Sequence, residues 1–217
     1  MQNLKYEKFP TQFFKPKSLV ILFHGIGADA FDLLPLAKHW SLNLNKTKFY
    51  SLHAPFKYSL APLGRQWFDL QDRDQTRILE EIELIKPMII CFLKKKIEKY
   101  SLDFKDLILV GFSQGTMVAL NIALSMEEKI MAVLGYSGGI ILTKSGKINI
   151  KSKPNICLIH GVDDDVVPIK MMQTSEAILK ENNLLMESHS IKNLGHGIND
   201  SGMEIGEKFL VKYLLKC

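Results

Sequence analysis

Residues Gly111-Phe112-Ser113-Gln114-Gly115 set a serine between two glycines, directly after the apolar run 107–110 and directly before the helix-like stretch 116–120. A serine hydroxyl is a weak nucleophile at neutral pH, so it must be held exposed on a tight turn beside a base that can take its proton. G-x-S-x-G between a strand and a helix meets that need, because small residues on both flanks let the turn close. The five-residue pattern also arises by chance in glycine-bearing loops. Its weight here comes from the strand before it and the helix after it.

Such a serine works with a histidine that accepts its proton and a carboxylate that orients the imidazole. Of the six histidines, His24 and His160 each end an apolar run before a glycine, where an imidazole commonly satisfies backbone groups. His39 falls on a helix, His53 at a strand end and His189 within a strand. His196 lies between Gly195 and Gly197 in a loop after the last strand, and is the candidate base. Upstream of it, Asp163-Asp164-Asp165 offers three adjacent carboxylates, any of which could turn inward. The chain order Ser, Asp, His is that of α/β-hydrolases, whereas chymotrypsin-like and subtilisin-like chains order the same groups differently.

The elements around these residues place them together. After a polar lead-in with Pro10 and Pro16, residues 18–23 form an almost unbroken apolar run, the mark of a strand covered on both faces, and lead into His24-Gly25-Ile26-Gly27-Ala28-Asp29. With no third glycine and no acid-tipped second strand, a dinucleotide loop is not indicated. A loop presenting backbone N–H groups to an anion fits the acyl-transfer chemistry better. Asp29 is expected to cap a helix reaching Trp40, and 49–52 reads as a short strand. Residues 56–70 form an irregular, aromatic-bearing segment in which Trp67 suits a pocket wall and plain core equally. Ile78, Ile82, Ile85, Ile89, Leu93 and Ile97 recur at steps of three and four, predicting a helix over 74–100 that Pro87 kinks or divides. Strands are expected at 106–110, 130–136, 155–159 and 185–191, and helices to about Met126, over 169–181 and over 203–215. Strands alternating with helices predict an α/β fold, with a mostly parallel central sheet and helices on both faces. Catalytic groups then gather beyond the carboxyl ends of the strands, where the Ser113, aspartate and His196 loops all fall.

At 217 residues the chain suits one domain over 1–217. Its 47% hydrophobic and 24% charged residues argue against disordered, fibrous and membrane classes. The 28 basic residues are spread along the chain and opposed by 23 acids, so the net charge of +5 does not indicate nucleic-acid binding. Lys94-Lys95-Lys96 reads as a solvated helix face or as a contact for an anionic membrane surface. Cys91, Cys157 and Cys217 lack disulfide-framework and zinc spacing, which suggests reduced thiols in a cytoplasmic setting. Neither an export signal nor a membrane-spanning run is expected.

The sequence resembles the phospholipase/carboxylesterase group of α/β-hydrolases, which includes the acyl-protein thioesterases. The matching pieces are Leu22-Phe23-His24-Gly25-Ile26-Gly27, His53-Ala54-Pro55, Gly64-Arg65-Gln66-Trp67-Phe68-Asp69, Gly111-Phe112-Ser113-Gln114-Gly115, Tyr136-Ser137-Gly138-Gly139, His160-Gly161-x-x-Asp164-x-x-Val167-Pro168 and Gly195-His196. They occur in family order over nearly the whole chain. The resemblance implies a Ser113, Asp164, His196 triad, Asp164 being the acid because it stands four before Pro168. It implies an oxyanion hole from the backbone N–H groups of Ile26 and Gln114, and the latter also follows from its place after the nucleophile. It further implies that Trp67 borders an acyl groove and that no metal or organic cofactor is used. The substrate implied is a small-molecule or lipid ester, or an acylated protein, and a homodimer is compatible with it. Asn193-Leu194, where relatives commonly carry a proline, and the short segment from Pro55 to Gly64 depart from the pattern in loops that shape substrate access. Two other readings predict different residues: a dienelactone-hydrolase-like enzyme would carry a cysteine nucleophile, and a catalytically silent binding module would lack a triad member.

Overall fold

The computed structural model describes residues 4–9, 15–70 and 74–214; the expected roles of Pro10, Leu215 and Cys217 lie outside these. Nine strands are present among the described residues: β1 (Tyr6–Phe9), β2 (Ser18–Phe23), β3 (Thr47–Leu52), β4 (Phe56–Lys57), β5 (Arg65–Gln66), β6 (Leu107–Phe112), β7 (Ala132–Tyr136), β8 (Asn155–Gly161) and β9 (Met186–Ile191). The helices are α1 (Leu34–Trp40), α2 (Gln75–Tyr100), α3 (Gln114–Ser125), α4 (Lys170–Glu181) and α5 (Asp200–Leu214). Seven strands form one sheet in the order β1-β3-β2-β6-β7-β8-β9, parallel except where β1 meets β3, while β4 and β5 make a separate two-stranded ribbon.

The unbroken apolar runs of the central strands reflect cover on both faces. Along β2, Leu19, Ile21 and Phe23 join α2, α3 and α4 in one core, while Val20 and Leu22 join α1 and α5 in the other. The central sheet with helices on both sides is thus as the alternation of elements predicts. Every residue of α3 is buried, so the helix that starts directly after Ser113 is held from all sides.

Four local features differ from expectation. The polar lead-in contains an edge strand, β1, whose half-exposed pattern carries a weak apolar signal. α1 begins at Leu34, not near Asp29, because the Asp29 carboxylate accepts the Phe31 N–H and closes a turn, and Pro35 opens the helix proper. α2 continues undivided through Pro87, with Asp74 capping it by accepting the Thr76 and Arg77 N–H groups. Lys96, the third lysine of the basic run, turns inward, its ammonium 3.8 Å from the Tyr6 ring centre and 4.7 Å from that of Tyr50. That cation–π contact ties β1 to α2. Among the described residues no helix is long and apolar enough to cross a membrane.

Candidate active site

The turn from β6 into α3 carries Ser113 at φ 53°, ψ −118°, a strained region for a residue with a side chain. Close packing enforces it. A Cβ on Gly115 would lie 2.0 Å from the Phe23 carbonyl oxygen, and one on Gly111 would lie 2.4 Å from the Thr116 nitrogen. The Ser113 N–H donates to the Tyr136 carbonyl at the end of β7 (2.9 Å), and its own carbonyl accepts from Thr116 (3.0 Å), so the first turn of α3 begins at Ser113.

Ser113 Oγ lies 3.0 Å from His196 Nε2, and His196 Nδ1 lies 2.8 Å from Asp164 Oδ2. The structure therefore brings together all three residues singled out in the sequence, from loops after β6, β8 and β9. The Phe112 ring packs against the imidazole with centres 4.9 Å apart. Asp163 and Asp165 are exposed, whereas the Asp164 side chain is fully buried. Asp164 Oδ1 accepts the Val166 (3.0 Å) and Val167 (2.8 Å) N–H groups. Burial works to raise the Asp164 carboxyl, but the His196 bond and the two amides outweigh it and hold it below its ordinary value.

Two buried histidines support this arrangement without touching Ser113. His160 Nε2 lies 2.8 Å from the Val167 carbonyl and 3.1 Å from Asp164 Oδ2, so a second imidazole flanks the acid. Sequence reasoning gave His160 only a backbone role; its spacing of four from Asp164 was the signal for this contact. His24 accepts the Ala54 N–H at Nε2 (3.1 Å), which leaves Nδ1 to donate to the Gly25 carbonyl (2.6 Å). Burial depresses its imidazole to about 4, so it stays neutral at pH 7.

Gln114 follows Ser113 in the chain, and Ile26 follows Gly25, where an added Cβ would lie 3.4 Å from the Ser113 Cβ. Among the described residues neither amide N–H has a hydrogen-bond acceptor, leaving both available to an anion. Ile26 also lines an open cavity of about 420 Å³, with Tyr58, Leu60, Gln66, Leu70 and Val166 among the other walls. A second cavity of about 340 Å³, bordered by Phe112, Leu33 and Ile198, lies beyond His196. Trp67, expected to border an acyl groove, lines neither of these two cavities. It is fully buried, its ring packed on Phe23 and His24, its indole N–H donating to the His24 carbonyl (2.9 Å). Its neighbours Gln66 and Leu70 face the cavity instead. Among the described residues, no three His, Cys, Asp or Glu side chains gather where they could hold a metal ion.

A parallel sheet covered on both faces, a serine on a strained strand-to-helix turn and a histidine and aspartate in later loops define the α/β-hydrolase fold. Within it, the chain belongs to the Phospholipase/Carboxylesterase family, whose model matches residues 11–214. The crystal structure of esterase PE8 superposes with a TM-score of 0.91 at 33% identity, covering 98% of this chain and all of that one. An acyl-protein thioesterase 1 from Emericella nidulans is 26% identical over 90% of each chain, and esterase YpfH from Escherichia coli is 24% identical over 93% of this chain and 86% of its own. The Bacillus cereus carboxylesterase, at 16% identity and a TM-score of 0.78, shares the fold. The chain is thus a hydrolase of an esterase family.

Proposed function

We propose that the chain hydrolyses carboxylic esters through an acyl-enzyme, with Ser113, His196 and Asp164 as its catalytic triad. The observation that carries this reading is the unbroken contact path from Ser113 Oγ through His196 to Asp164, at 3.0 and 2.8 Å. Ser113 Oγ attacks the carbonyl carbon as His196 Nε2 takes its proton. Asp164 Oδ2 accepts the Nδ1 proton, which fixes the tautomer and steadies the imidazolium. The carbonyl oxygen becomes an oxyanion received by the Ile26 and Gln114 amides. Its collapse expels the alkoxide or thiolate, which leaves with the proton that His196 returns. Water, deprotonated by His196, then attacks the acyl-enzyme by the same route and frees the acid and Ser113.

The 420 Å³ cavity beside Ile26 is the acyl site in this reading, and its mixed walls suit a short to medium chain. The substrate is then a small-molecule or lipid ester; an acylated protein would enter the same mechanism with a thiolate leaving group. The unpaired thiols of Cys91 and Cys157 support a reducing, cytoplasmic setting. A hydrolysis profile of the purified protein over p-nitrophenyl esters and acyl thioesters of increasing chain length tests the function. Turnover that Ser113→Ala abolishes is expected; absence of turnover on either series contradicts it.

A further inference from the structure

We infer that Trp67 positions the oxyanion hole, joining the two amide donors from behind; the inference rests on the assignment of the Ile26 and Gln114 N–H groups made above. Trp67 makes one hydrogen bond to each donor's segment. Its indole N–H donates to the His24 carbonyl (2.9 Å), and its backbone N–H donates to Gln114 Oε1 (2.7 Å). Gln114 closes the second link into a pair, its Nε2 donating to the Phe68 carbonyl (2.7 Å). All three residues are buried, with Trp67 and His24 at 0% and Gln114 at 1% exposure, so no water competes for these bonds.

The link from Trp67 to the Ile26 amide runs through two peptides. The indole pins the His24 carbonyl and with it the His24–Gly25 peptide, while the Ala54 N–H holds the His24 ring (3.1 Å) so that its Nδ1 proton reaches the Gly25 carbonyl (2.6 Å). A trans peptide points its C=O and N–H in opposite directions, and the described residues contain no cis bond. Fixing the Gly25 carbonyl therefore fixes the direction of the Ile26 N–H. Two backbone bonds extend the clamp, Gly27 N–H to the Arg65 carbonyl and Arg65 N–H to the Ala28 carbonyl, each 2.9 Å. On the other side, the Gln114 side chain is anchored to the Trp67–Phe68 backbone while its own amide N–H stays unengaged. An oxyanion hole is effective because its donors are already aimed before charge develops. Trp67 is where the aim of one donor is tied to the aim of the other.

A packing role and a positioning role predict different kinetics. Trp67→Phe keeps an aromatic ring against Phe23 and the backbone bond to Gln114, and removes the indole N–H together with part of the buried ring volume. Wild type, Trp67→Phe and Gln114→Met are compared on p-nitrophenyl butyrate and with a trifluoromethyl ketone, whose serine adduct carries the oxyanion that an ester acquires only in the transition state. Trp67→Phe is expected to lower kcat by about 10- to 100-fold, less than the roughly 10²- to 10³-fold loss from deleting a donor outright. KM should stay within about twofold, and ketone inhibition should weaken by the same factor as kcat, the signature of an interaction made only in the transition state. A folded Trp67→Phe enzyme with unchanged kcat, or with a loss confined to KM, overturns the proposal. If that variant does not fold, Gln114→Met must show the same split, and its failure to do so, folded or not, leaves Trp67 a packing residue. Wild type that turns over the ester but ignores the ketone instead overturns the assignment of the two amides, and this inference with it.

Discussion

His196 Nδ1 lies 2.8 Å from Asp164 Oδ2, and the other oxygen of that carboxylate is occupied by the Val166 and Val167 amides. The acid can therefore present only one oxygen to the imidazole, at an angle set by its own loop. Asp163 and Asp165 point into solvent and have no such constraint.

Asp164→Asn should consequently keep the fold and lower kcat by about 10⁴-fold, because an amide favours the wrong imidazole tautomer and leaves the imidazolium without its counter-charge. Asp163→Asn and Asp165→Asn should remain near wild type. Steady-state kinetics on one ester, with circular dichroism to check folding, separates the three. A silent Asp164→Asn beside a crippled neighbour would move the acid by one position.

The cavity beside Ile26 sets a second expectation. Leu60 and Val166 line it and are also largely exposed, so in the proposed acyl site they would meet the chain near its outer end. Leu60→Asp should raise KM for octanoate esters several-fold while leaving acetate little changed, since each buried methylene contributes about 0.8 kcal/mol. A uniform change across chain lengths would place the acyl group elsewhere, and the cavity beyond His196 would become the candidate.

His24 makes a prediction about stability. Its imidazole takes up a proton near 6.5 in the unfolded chain and near 4 when buried. The unfolded chain thus binds more protons between those values, so stability is lost as pH falls through that window and is unaffected by this group above it. The loss from pH 7 to pH 5 should be about 2 kcal/mol by that linkage. Urea unfolding at the two pH values should show a shallower dependence in His24→Asn. Equal slopes in the two proteins would mean that the imidazole titrates alike in the folded and unfolded chains.

Ester hydrolysis should be indifferent to EDTA, because in the proposed mechanism His196 activates Ser113 and the histidines and cysteines lack metal-ligand spacing. An EDTA-sensitive rate restored by zinc would contradict the serine mechanism.

What was legible in the sequence was what local sterics and spacing control. Gly111 and Gly115 mark the turn because nothing larger fits against Thr116 and Phe23. His196 stood out by its place after the last strand, whereas Asp164 was selected among three carboxylates only through the resemblance to a family whose acid stands four before the proline. The central strands were readable because cover on both faces makes them apolar throughout. β1 was not, since an edge strand with Glu7 and Lys8 owes its existence to pairing with β3. Trp67 was not either: its partners His24 and Gln114 are 43 and 47 residues away in the chain, and no local pattern tells whether an indole faces a groove or the back of a loop. Lys96 is similar, its inward turn depending on Tyr6 and Tyr50 from other elements.

The central claim is that Ser113 is an activated nucleophile, and covalent labelling by a fluorophosphonate reads this directly. Only a serine with a base at its hydroxyl attacks such a reagent quickly, and Ser113 Oγ has His196 Nε2 at 3.0 Å. Intact-mass and peptide analysis should show one adduct per chain, on Ser113, with labelling lost in Ser113→Ala and slowed in His196→Ala. Labelling that survives Ser113→Ala, or wild type that does not react, would contradict it.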